Sequence, residues 1–162
     1  MNDAGQIRAA LETANTVAVV GCSPDPSRPS HEIAEYLQRQ GYRIIPVNPR
    51  CAEVLGERSY PSLADVPPDV GIDVVDVFRR SEHVAGVAGQ AIARGVRFFF
   101  MQLGVEDPAA AARLEAAGIG VAMNRCILVE HRSLGILPKS RNARAHAGVS
   151  PMSRDRDLKQ EK

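Results

Sequence analysis

Residues 17–30 read VAVVGCSPDPSRPS, a short apolar run followed by a glycine and a loop rich in proline and serine. A run of alanine and β-branched valines is typical of a strand that is buried on both faces in a parallel sheet. Gly21 lets the chain turn at the end of this strand, and Ser30 is the expected N-cap of the helix that follows. The stretch therefore predicts a strand, a tight turn and a helix in succession.

The rest of the chain repeats this alternation. A second strand is expected at 43–47, where Pro46 favours an edge or a strand end, and Gly41 is expected to end the helix before it. The same pattern predicts further strands at 72–77, 96–101 and 119–123 and further helices at 3–14, 81–94 and 108–117. Short apolar strands separated by helices predict right-handed βαβ crossovers. We therefore expect an α/β fold with a single doubly wound, mostly parallel, five-stranded Rossmann-like sheet and helices on both faces.

The pattern divides the chain into a domain and a tail. We assign residues 1–137 to the domain, a size that supports one hydrophobic core. Residues 139–162 have no aromatic residue and carry seven Lys or Arg against three Asp or Glu. We therefore predict a basic, disordered tail over 138–162, with an anion-seeking arm as the alternative.

Composition narrows the classes of partner. A formal net charge of +1 gives no global basic field, which argues against bulk nucleic-acid binding. Cys22, Cys51 and Cys126 form no CxxC pair, and their odd number suits a reducing compartment better than a disulfide framework. No apolar run reaches the length of a membrane span, and the first residues lack a signal-peptide pattern. We expect a cytoplasmic protein without a nucleic-acid partner, a membrane partner or a structural metal.

The loop at residues 21–30 has the features of an anion site. Parallel sheets bind ligands beyond the carboxyl ends of their strands, and this loop follows the first strand. Gly21 permits close approach of a ligand, Ser23 and Ser30 offer hydroxyl donors, and Arg28 offers a guanidinium suited to phosphate. Cys22 lies between them, at the expected N-terminal end of a helix dipole. The alternative is an ordinary βα connection without a ligand.

Three later strand ends add candidate residues. Asn48-Pro49-Arg50 has no acidic residue to hold the ribose of NAD, whereas an arginine there suits the extra ribose phosphate of NADP or coenzyme A. Phe78 and Arg79 offer a ring for stacking and a charge for phosphate. Gln102-Leu103-Gly104 ends the fourth strand with an amide side chain and a glycine. Each of these has a structural alternative: a solvated charge, a core phenylalanine or a plain turn.

Together these pieces resemble the stand-alone CoA-binding domain family. The matching segments are VAVVGCSPDPSRPS, GYRIIPVNPR, the VFRR that begins at Val77, MQLGV and MNRCILVEH. The Rossmann-like fold of that family is similar to the CoA-binding domain of the succinyl-CoA synthetase alpha subunit. This chain departs from the family's usual residues at Cys22, Phe100 and Asn124, where alanine, tryptophan and aspartate are common.

The resemblance implies a ligand and its contacts. The implied contacts are Gly21, Ser23 and Arg28 with the diphosphate; Asn48, Pro49 and Arg50 with the ribose phosphate; and Phe78, Arg79, Gln102, Leu103 and Gly104 along the adenosine and the pantetheine arm. If Cys22 lies at the helix N-terminus, we expect a lowered pKa and a thiol more reactive than those of Cys51 and Cys126. The alternative is a side chain that points inward, as the alanine it replaces would.

The function implied is binding of coenzyme A or an acyl-CoA, without catalysis by this chain alone. His31, His83, His131 and His146 are scattered and belong to no nucleophile–base signature, so we name no catalytic residue. The alternatives are an NADP-type oxidoreductase and an accessory subunit of an acyl-CoA ligase. The expected partner is the small-molecule ligand, and a homo-oligomer remains open.

Overall fold

The structure, a computed structural model, describes residues 1–140. The α-helices in this part are α1 (Ala4–Thr13), α2 (Pro29–Arg39), α3 (Val84–Arg94), α4 (Pro108–Ala116) and α5 (Ile127–Ser133). The strands are β1 (Thr16–Val20), β2 (Arg43–Val47), β3 (Glu53–Val54), β4 (Glu57–Arg58), β5 (Val74–Val77), β6 (Phe98–Met101) and β7 (Gly120–Met123). Short 3₁₀ turns lie at Leu63–Asp65 and Ser81–His83.

Five of the strands form one parallel sheet in the order β2-β1-β5-β6-β7. This confirms the predicted Rossmann-like α/β architecture. Pro46 lies on β2, which is an edge strand, as its missing N–H requires. The loop after β4 covers part of that edge, since the N–H of Tyr60 donates to the carbonyl of Pro46 at 3.0 Å.

Helices cover both faces of the sheet. The face that packs against α1, α2 and α5 is called the α2 face below, and the face that packs against α3 and α4 is called the α3 face. Because side chains alternate along a strand, Val74 of β5 lies in the core of the α2 face, whereas Val75 and Val77 lie in the core of the α3 face. Each face has a core of buried aliphatic and aromatic residues.

Local sequence explains how α2 begins and ends. Pro29 occupies its first turn and Arg28 is the N-cap residue, so the helix begins earlier than the predicted cap at Ser30. At the other end Gly41 has φ +94°, and the N–H of Tyr42 donates to the carbonyl of Leu37 at 3.1 Å. This is a Schellman motif, which confirms Gly41 as the terminator.

Two regions differ from the expectation. The stretch between β2 and β5, predicted only as turns, contains the small antiparallel hairpin β3–β4. Lys139, assigned to the tail, is docked: its N–H donates to the carbonyl of Gln40 at 2.8 Å and its Nζ donates to the carbonyl of Glu12 at 2.9 Å. The tail beyond Ser140 lies outside the described residues. None of the helices described is long and apolar enough to span a membrane.

Candidate functional site

The sheet changes winding direction at β1. The chain runs from β1 through α2 to β2 on one side, and it later reaches β5 on the other side of β1. The loop after β1 therefore leads to the α2 face, and the loop after β5 leads to the α3 face. Such a switch point opens a crevice at the carboxyl ends of the two strands, where doubly wound proteins bind ligands.

Gly21 lies at the bottom of this crevice. Its φ is +84°, and a Cβ built on it would lie 3.0 Å from the carbonyl oxygen of Phe78 and 3.3 Å from Cδ of Arg79. The N–H of Gly21 donates to the carbonyl of Val47 at 2.8 Å. The position therefore needs glycine both for its backbone angle and for its neighbours.

The loop that follows Gly21 is held in shape by hydrogen bonds between its own residues. The N–H of Ser23 donates to Oγ of Ser30 at 3.0 Å, and the N–H of Asp25 donates to Oγ of Ser23 at 3.1 Å. Hydrogen bonds from Ser27 lower the pKa of Asp25, so this carboxylate stays an acceptor within the loop. Asn48 ties the loop to the end of β2 by donating from Nδ2 to the carbonyl of Cys22 at 2.9 Å. The loop is thus shaped before any ligand arrives.

Four arginines lie on the loops at the carboxyl ends of β1, β2 and β5. Arg28 lies in the loop after β1, Arg50 follows β2, and Arg79 and Arg80 follow β5. Within residues 1–140 none of the four side chains has a carboxylate within 4 Å or forms a hydrogen bond, although the charge of Arg28 is one of the smaller causes that lower the pKa of Asp25. Arg43 and Arg113 also lack such partners, so the feature of this edge is the grouping of four arginines on its loops. An edge with several unpaired cations is suited to a ligand with several negative charges.

A cavity of about 190 Å³ opens on the α3 face, and Arg79 is the one of the four arginines that lines it. Pro49 and Arg79, both predicted site residues, contribute to its wall. The remaining lining residues are Val20, Val47, Pro61, Ser62, Leu63, His83, Gly86, Val87 and Gln90. Pockets for a whole ligand of cofactor size are typically larger, about 300–1,000 Å³, so this cavity suits one part of such a ligand.

Sequence reasoning missed most of the cavity wall. The residues of the 61–63 segment follow the unpredicted β3–β4 hairpin, and no local pattern placed them near β1. His83, Gly86 and Val87 lie in and just before the first turn of α3, directly after the predicted Phe78-Arg79 loop. The topological rule that ligands contact the helix after each strand end could have identified these three.

Two predicted site residues have their side chains on the α2 face. Phe78 packs against the core there, across the sheet from the cavity, so its stacking on adenine stays a prediction. Cys22 is fully buried, and burial, with smaller contributions from Cys51 and Asp76, raises its thiol pKa to about 12. The predicted lowering of the Cys22 pKa is therefore wrong, because the thiol lies in an apolar core rather than among the free N–H groups of α2.

The turn after β6 is braced by the turn after β7. The N–H of Gly104 donates to Oδ1 of Asn124 at 2.8 Å, and Asn124 has φ +57°. Asparagine tolerates this left-handed backbone and supplies the acceptor that an aspartate would supply. Gln102 is buried and Leu103 is exposed, so the two neighbours on this turn face different surroundings.

A larger groove, of about 600 Å³, lies at the amino ends of β6 and β7. Its charged residues already have partners: Arg97 pairs with Asp73 at 2.9 Å, and Glu115 pairs with the amino group of Met1 at 2.7 Å. The ligand rule for parallel sheets points to the carboxyl ends instead. We therefore place the candidate site at the switch point. No cluster of metal-ligating side chains occurs in the described part of the chain.

Comparison with known families and proteins identifies relatives of this domain. A family model described as CoA binding domain matches residues 15–132, which include β1 to β7 and the loops that surround the crevice. The uncharacterized protein YneT of Bacillus subtilis is 40% identical over 126 residues, which are 78% of this chain and 92% of that protein.

A second relative and a solved structure extend the comparison. The alpha subunit of the ADP-forming acetate–CoA ligase II of Pyrococcus furiosus is 36% identical over 62 residues, 38% of this chain but only 14% of the subunit. A hypothetical protein from Pyrococcus horikoshii has the same fold with a TM-score of 0.77 and 35% identity, over 82% of this chain and 92% of that one.

Proposed function

The chain belongs to the CoA-binding domain family, and from this premise we propose that it binds coenzyme A or an acyl-CoA at the switch-point crevice. The observation that carries the proposal is the set of unpaired guanidinium groups at Arg28, Arg50, Arg79 and Arg80. Coenzyme A carries a diphosphate and a ribose 3′-phosphate, so its nucleotide end offers charges at more than one place. Cations spread over three neighbouring strand ends match such a ligand better than a single anion.

The geometry supports an orientation for the ligand. The diphosphate lies against Gly21 and Arg28, where the backbone permits close approach. The adenosine occupies the 190 Å³ cavity, whose wall includes Pro49 and Arg79. Arg50 then faces the ribose phosphate. Because β2 is an edge strand, the pantetheine arm extends the other way, past β5 toward Gln102, the residue that follows β6.

We further propose that the chain binds the ligand without catalysing a reaction alone. His31 is engaged with the carbonyl of Ser23 at 2.9 Å, and His131 is buried against the hydroxyl of Tyr36 at 2.8 Å. Neither histidine is paired with a nucleophile at the crevice. An accessory role beside an acyl-CoA ligase is a second candidate, favoured by the similarity of residues in this domain to the P. furiosus ligase subunit.

Calorimetric titration with coenzyme A, dephospho-coenzyme A and NAD tests the proposal. We expect coenzyme A to bind most tightly and NAD most weakly. A charge-assisted bond to Arg50 contributes about 1.5–3 kcal/mol, so loss of the 3′-phosphate weakens binding roughly 10- to 100-fold. Arg50→Ala removes most of that difference, whereas Arg28→Ala weakens both coenzyme A forms together, because both contain the diphosphate.

Arg43→Ala is the matched control. Arg43 is also exposed and lies on β2, but at the amino end of the strand, away from the crevice. The Arg43→Ala variant changes the net charge by the same amount as Arg50→Ala, and it should leave the order of the three affinities unchanged. NAD binding as tight as that of coenzyme A contradicts the proposed function and favours the NADP-type alternative. An effect of Arg43→Ala equal to that of Arg50→Ala contradicts the placement of the ribose phosphate.

A further inference from the structure

Two buried polar groups near the crevice have no partner in the described part of the chain. Asp76 on β5 is fully buried, and neither carboxyl oxygen has a hydrogen-bond partner. Gln102, just after β6, is also buried, and its Oε1 has no partner. A buried acceptor without a donor is destabilising by about 1–3 kcal/mol, so two such groups on adjacent strands require an explanation.

The register brings these two groups to the same face of the sheet. Asp76 pairs with Phe100 on β6, and Phe100 lies in the core of the α2 face. Gln102 is two residues beyond Phe100, and its N–H donates to the carbonyl of Val77, which continues the ladder. With a strand spacing of about 4.8 Å and a rise of about 3.3 Å per residue, the two Cβ atoms are roughly 8 Å apart. The Asp76 and Gln102 side chains are together long enough to cover that distance when one hydrogen bond joins them.

The protonation state of Asp76 decides which end of the Gln102 amide faces it. A carboxylate can only accept, and would take the amide nitrogen, whereas a protonated carboxyl can donate to the amide oxygen and leaves the nitrogen free for a ligand. Burial raises the pKa of Asp76 well above its ordinary value, and no cation among residues 1–140 offsets this effect. The titratable group coupled to Asp76 is the thiol of Cys22, whose own raised pKa keeps it uncharged.

We propose that Asp76 is a protonated positioning residue that donates to Oε1 of Gln102, directly or through one water, and turns the Gln102 amide nitrogen toward the pantetheine arm. The inference rests on the proposed function and names a new contact within it. Gln102 Nε2 then donates to a carbonyl oxygen of the ligand, either a pantetheine amide or the thioester of an acyl group. Asp76 itself does not touch the ligand.

A double-mutant cycle measured by titration with coenzyme A and acetyl-CoA tests this coupling. We expect Gln102→Ala to weaken binding roughly 3- to 10-fold, the value of one neutral hydrogen bond. Asp76→Val should weaken binding by a similar factor, and the double variant should bind no worse than Gln102→Ala alone. Asp76→Asn should remain within about twofold of the wild type, because its amide keeps a donor at the same place.

Val74→Ala controls for loss of packing. Val74 is buried on the same face of the same strand, two residues farther from the crevice. It should lower the free energy of unfolding without changing affinity. A larger loss for acetyl-CoA than for coenzyme A locates the contact at the thioester, and equal losses locate it at the pantetheine.

Several outcomes contradict the inference. Additive losses in the cycle, failure of Asp76→Asn to bind, or an unaffected Gln102→Ala variant would each overturn it while leaving the proposed function intact. Should Asp76→Val not fold, the pH dependence of binding decides the matter: wild-type affinity for coenzyme A should fall as the pH rises through the folded pKa of Asp76, and the affinity of Asp76→Asn should not. Absence of coenzyme A binding by the wild-type protein overturns the proposed function itself.

Discussion

At the scale of the residue, the crevice depends on Gly21, which has no Cβ. We predict that Gly21→Ala lowers coenzyme A affinity at least tenfold, because the new methyl group would lie 3.0 Å from the carbonyl oxygen of Phe78 and must displace one of the two strand-end loops. The left-handed backbone adds strain of about 1–2 kcal/mol. Calorimetry for binding and urea unfolding for stability measure the two effects separately.

Gly95 offers the matched comparison for that prediction. It also has a positive φ, +65°, but a Cβ there would meet nothing within 4 Å. Gly95→Ala should therefore lose a similar free energy of unfolding from backbone strain and keep full affinity. Equal affinity losses in both variants would mean that strain, and not the contact with Phe78, governs the site.

At the scale of the element, β5 is a central strand with a buried carboxyl group. Because the folded pKa of Asp76 is raised, its proton stabilises the fold fully below the unfolded pKa near 3.8, and this stability is lost as the pH rises toward the folded pKa. We predict that Asp76→Asn, which cannot ionise, becomes more stable relative to the wild type by about 1.4 kcal/mol per pH unit over that window. Urea unfolding of both proteins at a series of pH values measures the difference. A difference that stays constant with pH would show that Asp76 ionises normally in the fold.

The strands of the main sheet were predictable because each is a short apolar run bounded by glycine, proline or polar residues. The edge position of β2 followed from Pro46 alone. The hairpin β3–β4 was not predictable, since two-residue strands carry no alternation of apolar and polar positions. The start of α2 was misplaced because Ser30 has the composition of a cap, while its hydroxyl accepts from the N–H of Ser23 instead.

The sequence predicts which loops form the candidate site, because these loops follow strand ends. It does not predict the direction in which each side chain points. The structure brings together the loop containing Gly21, the Asn48 side chain and Arg79, as the strand-end rule implies. The sequence left the direction of the Cys22 side chain open between the helix N-terminus and the core, because alternation along a strand stops at the loop where this residue lies. The sequence predicts Asp76 only as a strand residue. That its carboxyl oxygens have no hydrogen-bond partner could be seen only from the packing of the α2 face.

At the scale of the whole molecule, the crevice and the docking position of Lys139 lie at opposite ends of the sheet. The carboxyl ends of the strands form the crevice, whereas the C-terminal segment docks near the amino ends, where Lys139 lies over the ring of Tyr42 and binds the carbonyl of Glu12. Gly41 allows this segment to pass, since a Cβ there would lie 2.8 Å from the carbonyl oxygen of Lys139. Binding and docking of the segment should therefore be independent.

Two truncations test that independence. Removal of residues 141–162 should leave the melting temperature within a few degrees, since the sequence of this stretch has no aromatic residue and no apolar periodicity. Removal from Pro138 onward also deletes the Lys139 contacts, and we expect it to lower the free energy of unfolding by about 1–3 kcal/mol, the value of two hydrogen bonds and a cation–π contact. Saturating coenzyme A, at 100 times its Kd, should stabilise all three proteins equally, by about 2.7 kcal/mol, because the proposed site lies at the opposite end of the sheet. Thermal unfolding with and without ligand gives these values; a smaller ligand effect in either truncated protein would show that the C-terminal segment contributes to the crevice.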